Sequence, residues 1–153
     1  MTADPRPRFV ADSMLGSLAR WLRMLGYDTV YRKDLTDDEL ARLASTEKRW
    51  ILTRDRDLAK VPEAILVESD ELESQLRLVN EACKLSFDEE LIRCSVCNGE
   101  LKEIPKEDAK GRIPEGAFAS TDRFWMCQDC GKIFWRGSHW QGIQERFRKL
   151  NLA

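Results

Sequence analysis

The chain has 153 residues, 42% hydrophobic and 34% charged. That is enough for one domain, or a compact domain plus a small module, and too apolar for a disordered polymer. With 27 acidic and 25 Lys and Arg residues the formal net charge is −2 and the pI near 5.6, which excludes a uniformly basic nucleic-acid binder. No apolar run approaches membrane-spanning length, and the polar start Met1–Arg8 has no signal-peptide core, so no membrane association and a reducing cytoplasmic setting are expected. There, five cysteines point to metal ligands or buried thiols before disulfides. Charge is uneven: residues 63–91 carry nine acids against two bases, and residues 131–153 five bases against one acid. A local basic surface is therefore compatible with the overall balance.

Phe9-Val10-Ala11 reads as a short buried strand ending in Asp12. From Ser13 to Leu25 the apolar period becomes helical, with Leu15, Leu18, Leu22 and Leu25 on one face and Gly26 as the stop. Arg20 and Arg23 share another face; they read either as solvated charge or as groups leaning back toward Asp12. Tyr27–Arg32 is a second strand. Thr36 and Glu39 form a capping box that opens a helix with Leu40, Leu43 and Ala44 on its apolar side. Asp37 and Asp38 suit that helix start for dipole reasons alone, which competes with any metal role.

Trp50–Thr53 is a third strand and Ala64–Val67 a fourth. A further helix from Ser69-Asp70 presents Leu72, Leu76, Val79 and Cys83 to a core, so Cys83 reads as a buried thiol. The βαβα alternation predicts an α/β domain with a mostly parallel sheet and helices on both faces, over residues 1–91.

Residues 92–153 read differently. Cys94-x-x-Cys97 and Cys127-x-x-Cys130 are two CxxC pairs 29 residues apart, with Gly99 and Gly131 expected to permit the turns around a metal. Four thiolates in two knuckles fit a closed tetrahedral zinc site, structural and not catalytic. Strands are expected over Glu100–Ile104, Arg123–Met126 and Lys132–Trp135, with an extra hairpin in the long gap between the knuckles. Trp125, Phe134 and Trp135 are expected to supply the small core; base stacking is the other use of such rings. Ser138 to Gln141 reads as a second capping box, opening a helix whose face Trp140, Ile143, Phe147 and Leu150 should dock on the rest of the protein. Arg146, Arg148 and Lys149 decorate it. His139, the only histidine, reads as a local hydrogen-bonding group.

The chemistry lies in the acids. Trp50-Ile51-Leu52-Thr53-Arg54-Asp55-Arg56-Asp57 is an apolar strand that ends in paired carboxylates, and ligand crevices of α/β sheets lie beyond the carboxyl ends of strands. If the chain stays extended, Asp55 and Asp57 share a face with each other. Two carboxylates about 5 Å apart at a dielectric of about 20 repel by roughly 3 kcal/mol, which a hard divalent cation would offset. A cluster of Asp12, Asp55 and Asp57 with Asp37 or Asp38 therefore suggests Mg²⁺ or Mn²⁺ and metal-activated water attacking a phosphodiester, with Arg20, Arg23, Arg54 and Arg56 holding the phosphate.

The chain also resembles a known family. Phe9-Val10-Ala11-Asp12, Leu15-Gly16-Ser17-Leu18-Ala19-Arg20-Trp21-Leu22-Arg23, Leu25-Gly26-Tyr27-Asp28, Ile51 to Asp57, Cys94-x-x-Cys97-Asn98-Gly99, Phe124-Trp125 before the second knuckle, and Trp135 to Trp140 are similar to the Mut-seven C-terminal RNase domain family. The resemblance implies a PIN-like fold followed by a zinc ribbon, and a metal-dependent ribonuclease acting on RNA. It assigns Asp12 as the first-strand acid, Asp55 as the acid of the Thr-x-Asp turn and Asp57 as the acid two residues on. For the middle acid it leaves two candidates, Asp37, three residues before Leu40, and Asp38 directly behind it. Two other functions fit the residues: an adaptor that binds nucleic acid or protein through the zinc module, and a phosphohydrolase using Asp55 and Asp57 as an aspartyl pair. A protein partner or self-association is compatible with all three.

Overall fold

A computed structural model describes residues 6–137 and 140–151. Four parallel strands, β1 (Phe9–Ala11), β2 (Thr29–Tyr31), β3 (Trp50–Thr53) and β4 (Ala64–Leu66), lie in the order β2-β1-β3-β4. Side chains alternate across the pleat. Phe9, Ala11 and Leu52 therefore enter one core with helices α1 (Gly16–Met24) and α3 (Leu72–Cys83), while Val10 and Ile51 enter a second core with helix α2 (Asp37–Glu47). The sheet is thus covered on both faces, as its apolar strands require.

Local signals set the helix ends. The Thr36 hydroxyl accepts the Glu39 amide at 3.2 Å and the Glu39 carboxylate accepts the Thr36 amide at 3.4 Å, so the capping box forms. Gly26 takes φ +100°, and its amide donates to Arg23 O at 3.0 Å, ending α1. A side chain there would also strike Leu91 O at 2.9 Å. Cys83 is half-buried, and burial pushes its thiol up to about 11, consistent with a core thiol.

The second half forms an antiparallel sheet in the order β5 (Leu101–Ile104), β6 (Phe124–Cys127), β7 (Ile133–Phe134). Between β5 and β6 stand two short helices, α4 (Lys106–Ala109) and α5 (Glu115–Ser120), where a hairpin was expected. Each starts after a proline, Pro105 and Pro114, whose fixed φ is pre-set for a helix start. Their Ala109 and Phe118 help complete the small core around Phe124 and Ile133.

The last helix, α6 (Trp140–Lys149), returns to the first core as expected. Phe147 is fully buried, edge-on to Trp21 at 5.6 Å and 4.8 Å from Phe87, and Leu150 is buried beside it. The capping box expected to begin at Ser138, and His139, lie outside the described residues. No helix among the described residues is long and apolar enough to cross a membrane.

Candidate active site and metal centre

The strand order reverses between β1 and β3, which makes the carboxyl edge of these two central strands a topological switch point. Register places Ala11 opposite Leu52, so Asp12 and Thr53 emerge side by side. The Asp12 carboxylate is held from three directions. Oδ2 accepts the Thr53 hydroxyl at 2.7 Å and the Arg54 amide at 2.8 Å, and Oδ1 accepts the Met14 amide at 2.9 Å. Thr53 is fully buried, and its Oγ1 also accepts the Asp55 amide at 2.9 Å. One buried hydroxyl therefore orients the chain at both acids.

Asp37 arrives from the start of α2. It lies within hydrogen-bonding reach of Asp55 and feels the charges of Asp55, Asp12 and, least, Asp38. Desolvation first, then these carboxylates, hold its carboxyl above the usual range. Asp37 thus stands beside Asp55, with Asp12 and, at the margin, Asp38 near enough for their charges to be felt; among the described residues these acids do not form a group as tight as a preformed metal site. A carboxyl whose folded pKa is raised binds its proton more tightly than in the unfolded chain, so its penalty is absent below the unfolded pKa and grows as pH rises through the folded one. Asp37→Asn is accordingly expected to raise Tm near neutral pH in the absence of divalent cations. The gain should vanish as pH falls below the carboxylate range; a melting series against pH measures it. Asp38 and Glu39 still serve the helix dipole in that variant.

Asp57 does not join the trio. Asp55 Oδ1 accepts the amides of Asp57 at 2.8 Å and Leu58 at 3.4 Å, an Asx turn that leads into the short 3₁₀ helix Leu58–Lys60. The chain is therefore not extended past Thr53. The Asp57 side chain is 89% exposed and pairs with Lys60 at 3.3 Å.

The four arginines also separate. Arg20 is exposed and carries no ion pair among the described residues. Arg54 is tied to Asp70 at 2.6 Å and to the Ser69 and Glu68 carbonyls, and Arg56 pairs with Glu68 at 3.1 Å. Arg23 corrects the expectation outright. It is buried, donating from Nε to Thr29 O and from Nη1 to Ser95 O, both at 2.9 Å. Its guanidinium braces the second half of the chain and cannot face a phosphate at the acids. Beside Asp12, a cleft of about 370 Å³ is lined by Met14, Ser17, Trp21, Arg54 and Gln75.

The metal centre is more sharply built. The Sγ atoms of Cys94, Cys97, Cys127 and Cys130 all lie within 4.8 Å of one another, with Cys94 to Cys130 at 3.8 Å and Cys97 to Cys127 at 3.4 Å. Zn–S bonds of about 2.3 Å put tetrahedral sulfurs about 3.8 Å apart, so the donor set fits that ion. Among the described residues this is the one group of three or more His, Cys, Asp or Glu arranged so tightly. Burial works to raise the Cys127 thiol. The Cys130 and Asp129 amides, each 3.4 Å from its sulfur, and the neighbouring thiols outweigh that and bring it to about 7.

The two turns use their residues differently from the expectation. Gly131 adopts φ +79°, but in the first knuckle it is Asn98 that takes the left-handed conformation, at φ 73°. Gly99 is needed for space instead: a Cβ there would lie 2.7 Å from Cys127 Sγ.

Asn98 also joins the two halves. Its Oδ1 accepts the Thr29 amide at 2.9 Å, and its Nδ2 donates to Asp28 Oδ1 at 2.7 Å. Asp28 also receives Arg49 Nη1 at 2.9 Å. Burial opposes the Asp28 charge, yet Arg49 and Asn98 hold its carboxyl below the usual range. Sequence reading missed this latch, although Asp28 and Asn98 both stand in the motifs that carry the resemblance. Asn98→Gly keeps the left-handed turn and leaves the buried Thr29 amide without its acceptor. It is expected to cost about 1–3 kcal/mol, with loss of hydrogen-exchange protection at Thr29 and retention of the metal.

A model of the Mut7-C RNAse domain matches residues 7–147 of the chain. No curated protein and no solved structure matches it.

Proposed function

Because the chain belongs to the Mut7-C RNAse domain family, we propose that it is a Mg²⁺- or Mn²⁺-dependent ribonuclease that hydrolyses RNA phosphodiester bonds at the switch point of its parallel sheet. The observation that carries this reading is the convergence of Asp12, Asp37 and Asp55, remote in sequence, at one edge. The donor set suits a hard cation. The oxygens are carboxylate, Asp12 keeps lone-pair capacity beyond its three hydrogen bonds, and the repulsion borne by Asp37 is what a cation relieves. When bound, the ion supplies activation of water and neutralisation of charge on the phosphate and leaving oxygen.

The residues of the chain do the positioning. Thr53 and the Arg54 amide aim Asp12, Thr53 anchors the chain at Asp55, and α2 delivers Asp37 as the middle acid. Arg20, exposed and carrying no ion pair among the described residues, is the arginine best able to meet a phosphate oxygen. Arg54 and Arg56 serve less directly, each already engaged by acids or carbonyls. Residues 1–91 hold the chemistry in this reading and residues 92–153 a structural zinc ribbon, in a cytoplasmic protein of PIN-like fold.

The test is cleavage of single-stranded and structured RNA by protein freed of Mg²⁺ and Mn²⁺ by dialysis, with each ion then restored. Strong chelators are avoided because they would also strip a thiolate-bound zinc. Activity is expected only on restoration.

A further inference from the structure

The second half of the chain borders another cavity, of about 310 Å³ and open to solvent on one side, lined by β6, β7, the start of α6 and Met24 at the end of α1. It stands apart from the acids. Asn98 binds Thr29, the first residue of β2, so the ribbon docks at the amino edge of the sheet and the acids at the carboxyl edge. Along α1, Ser17 lines the cleft beside Asp12 and Met24 lines this cavity, about 10 Å further along the helix axis.

The walls combine rings and cations. Trp125, Phe134, Trp135 and Trp140 all front the cavity and all are half-buried. The small core does not use them equally. Trp135 packs partly against Phe124 and Ile133, whereas Trp125 and Phe134 join no core cluster among the described residues, contrary to the expectation that all three fill the core. The Arg136 guanidinium lies 4.6 Å from the Trp125 ring and 5.2 Å from the Trp140 ring, and Lys132 Nζ lies 5.6 Å from Phe134. Arg93 adds a third cation to the lining, against one acid, Glu90. A cavity at the small end of the ligand-pocket range, about 300–1,000 Å³, takes one planar group and not a folded partner. Rings and guanidinium planes stack on bases, and the excess of cations selects an anion attached to the ring.

We propose that this cavity seats one unpaired nucleotide of the RNA, with its base at the Trp125–Arg136–Trp140 ladder and its phosphate toward Lys132, away from the bond that is cut. The seat rests on the ribonuclease reading. It would hold a strand whose scissile phosphate lies at Asp12, Asp37 and Asp55, so it governs affinity and not the chemical step.

The zinc-loaded 153-residue chain carrying Asp55→Asn, chosen to keep RNA intact, is titrated with a fluorescein-labelled single-stranded RNA decamer and followed by anisotropy. Adding Trp125→Ala or Lys132→Glu is expected to weaken binding about tenfold or more. Lys110→Glu, the same charge change at an exposed position outside the cavity lining, should leave it within about twofold. If Trp125→Ala releases zinc, Lys132→Glu on the exposed rim carries the result. In otherwise wild-type protein, Lys132→Glu should raise KM for the decamer, leave kcat unchanged, and leave cleavage of a dinucleotide unaffected. Decamer affinity unchanged in Lys132→Glu, or lowered equally by Lys110→Glu, overturns the seat even where wild type cleaves RNA. Conversely, specific loss of binding in a protein that cleaves nothing leaves the seat standing and removes the nuclease.

Discussion

Alanine at Asp55 is expected to reduce Mg²⁺- or Mn²⁺-supported RNA cleavage by at least about a hundredfold while leaving the circular dichroism spectrum unchanged. The side chain has no packing role. It accepts two amides of an exposed turn and stands beside Asp37. Alanine at Asp12 should be equally severe but less clean, because it also releases the buried Thr53 hydroxyl and the Arg54 amide. Thr53→Val tests the two supporting bonds and leaves the carboxylates in place. Valine keeps the volume, loses both hydrogen bonds, and is expected to lower apparent metal affinity about 10–100-fold, recoverable at high Mn²⁺. Asp57→Ala is the internal contrast: its exposed carboxylate faces Lys60, and cleavage should stay within a few-fold of wild type. Equal activity in wild type and Asp55→Ala under every metal condition would remove the enzyme and favour an adaptor that works through the ribbon.

Removal of the ribbon metal is the second large effect. Among the described residues, the small core beneath the three-stranded sheet has Ala109, Phe124 and Ile133 as its buried members, too few apolar groups to stabilise three short strands unaided. Structural zinc in such modules contributes about 10–16 kcal/mol of apparent binding energy, all of it available to folding. Chelation, or Cys127→Ser, should therefore unfold residues 94–135 and shift the emission of Trp125 and Trp135 to the red. Re-addition of zinc should restore the chelated wild type but not the variant. One zinc per chain by elemental analysis is the matching expectation. The parallel sheet should survive, because its two cores draw on β1, β3 and α1 to α3. It should be less stable, since Arg23 and the Thr29 amide lose Ser95 and Asn98. A chelated protein with an unchanged melting curve and no bound metal would show that the thiols are a passive cluster.

Much of this molecule is written in short-range pattern. Continuous apolar runs and period-3.6 patterns place the four parallel strands and α1 to α3. The Thr36–Glu39 box and Gly26 mark helix ends because capping involves only neighbours. Paired CxxC spacing identifies the metal centre because each knuckle closes locally. Even the missed α4 and α5 left a local trace, in Pro105 and Pro114 followed by acidic first turns.

Long-range geometry decided the rest. Whether Asp55 and Asp57 share a face depends on the backbone after Thr53, and the Asx turn curls it away from the extended form. Arg20 and Arg23 look alike on a helical wheel. Only the docking of Ser95 against α1 made one a buried brace and left the other in solvent. Asp28 and Asn98 are 70 residues apart, and no period or spacing links them. The sequence by itself determined the elements, the thiolate centre and the strand ends from which acids emerge, since those are set by neighbours along the chain. Which carboxylates meet, which cations are already engaged and which aromatic rings front a void were decided by packing between distant segments, where burial and hydrogen-bond satisfaction outweigh local preference.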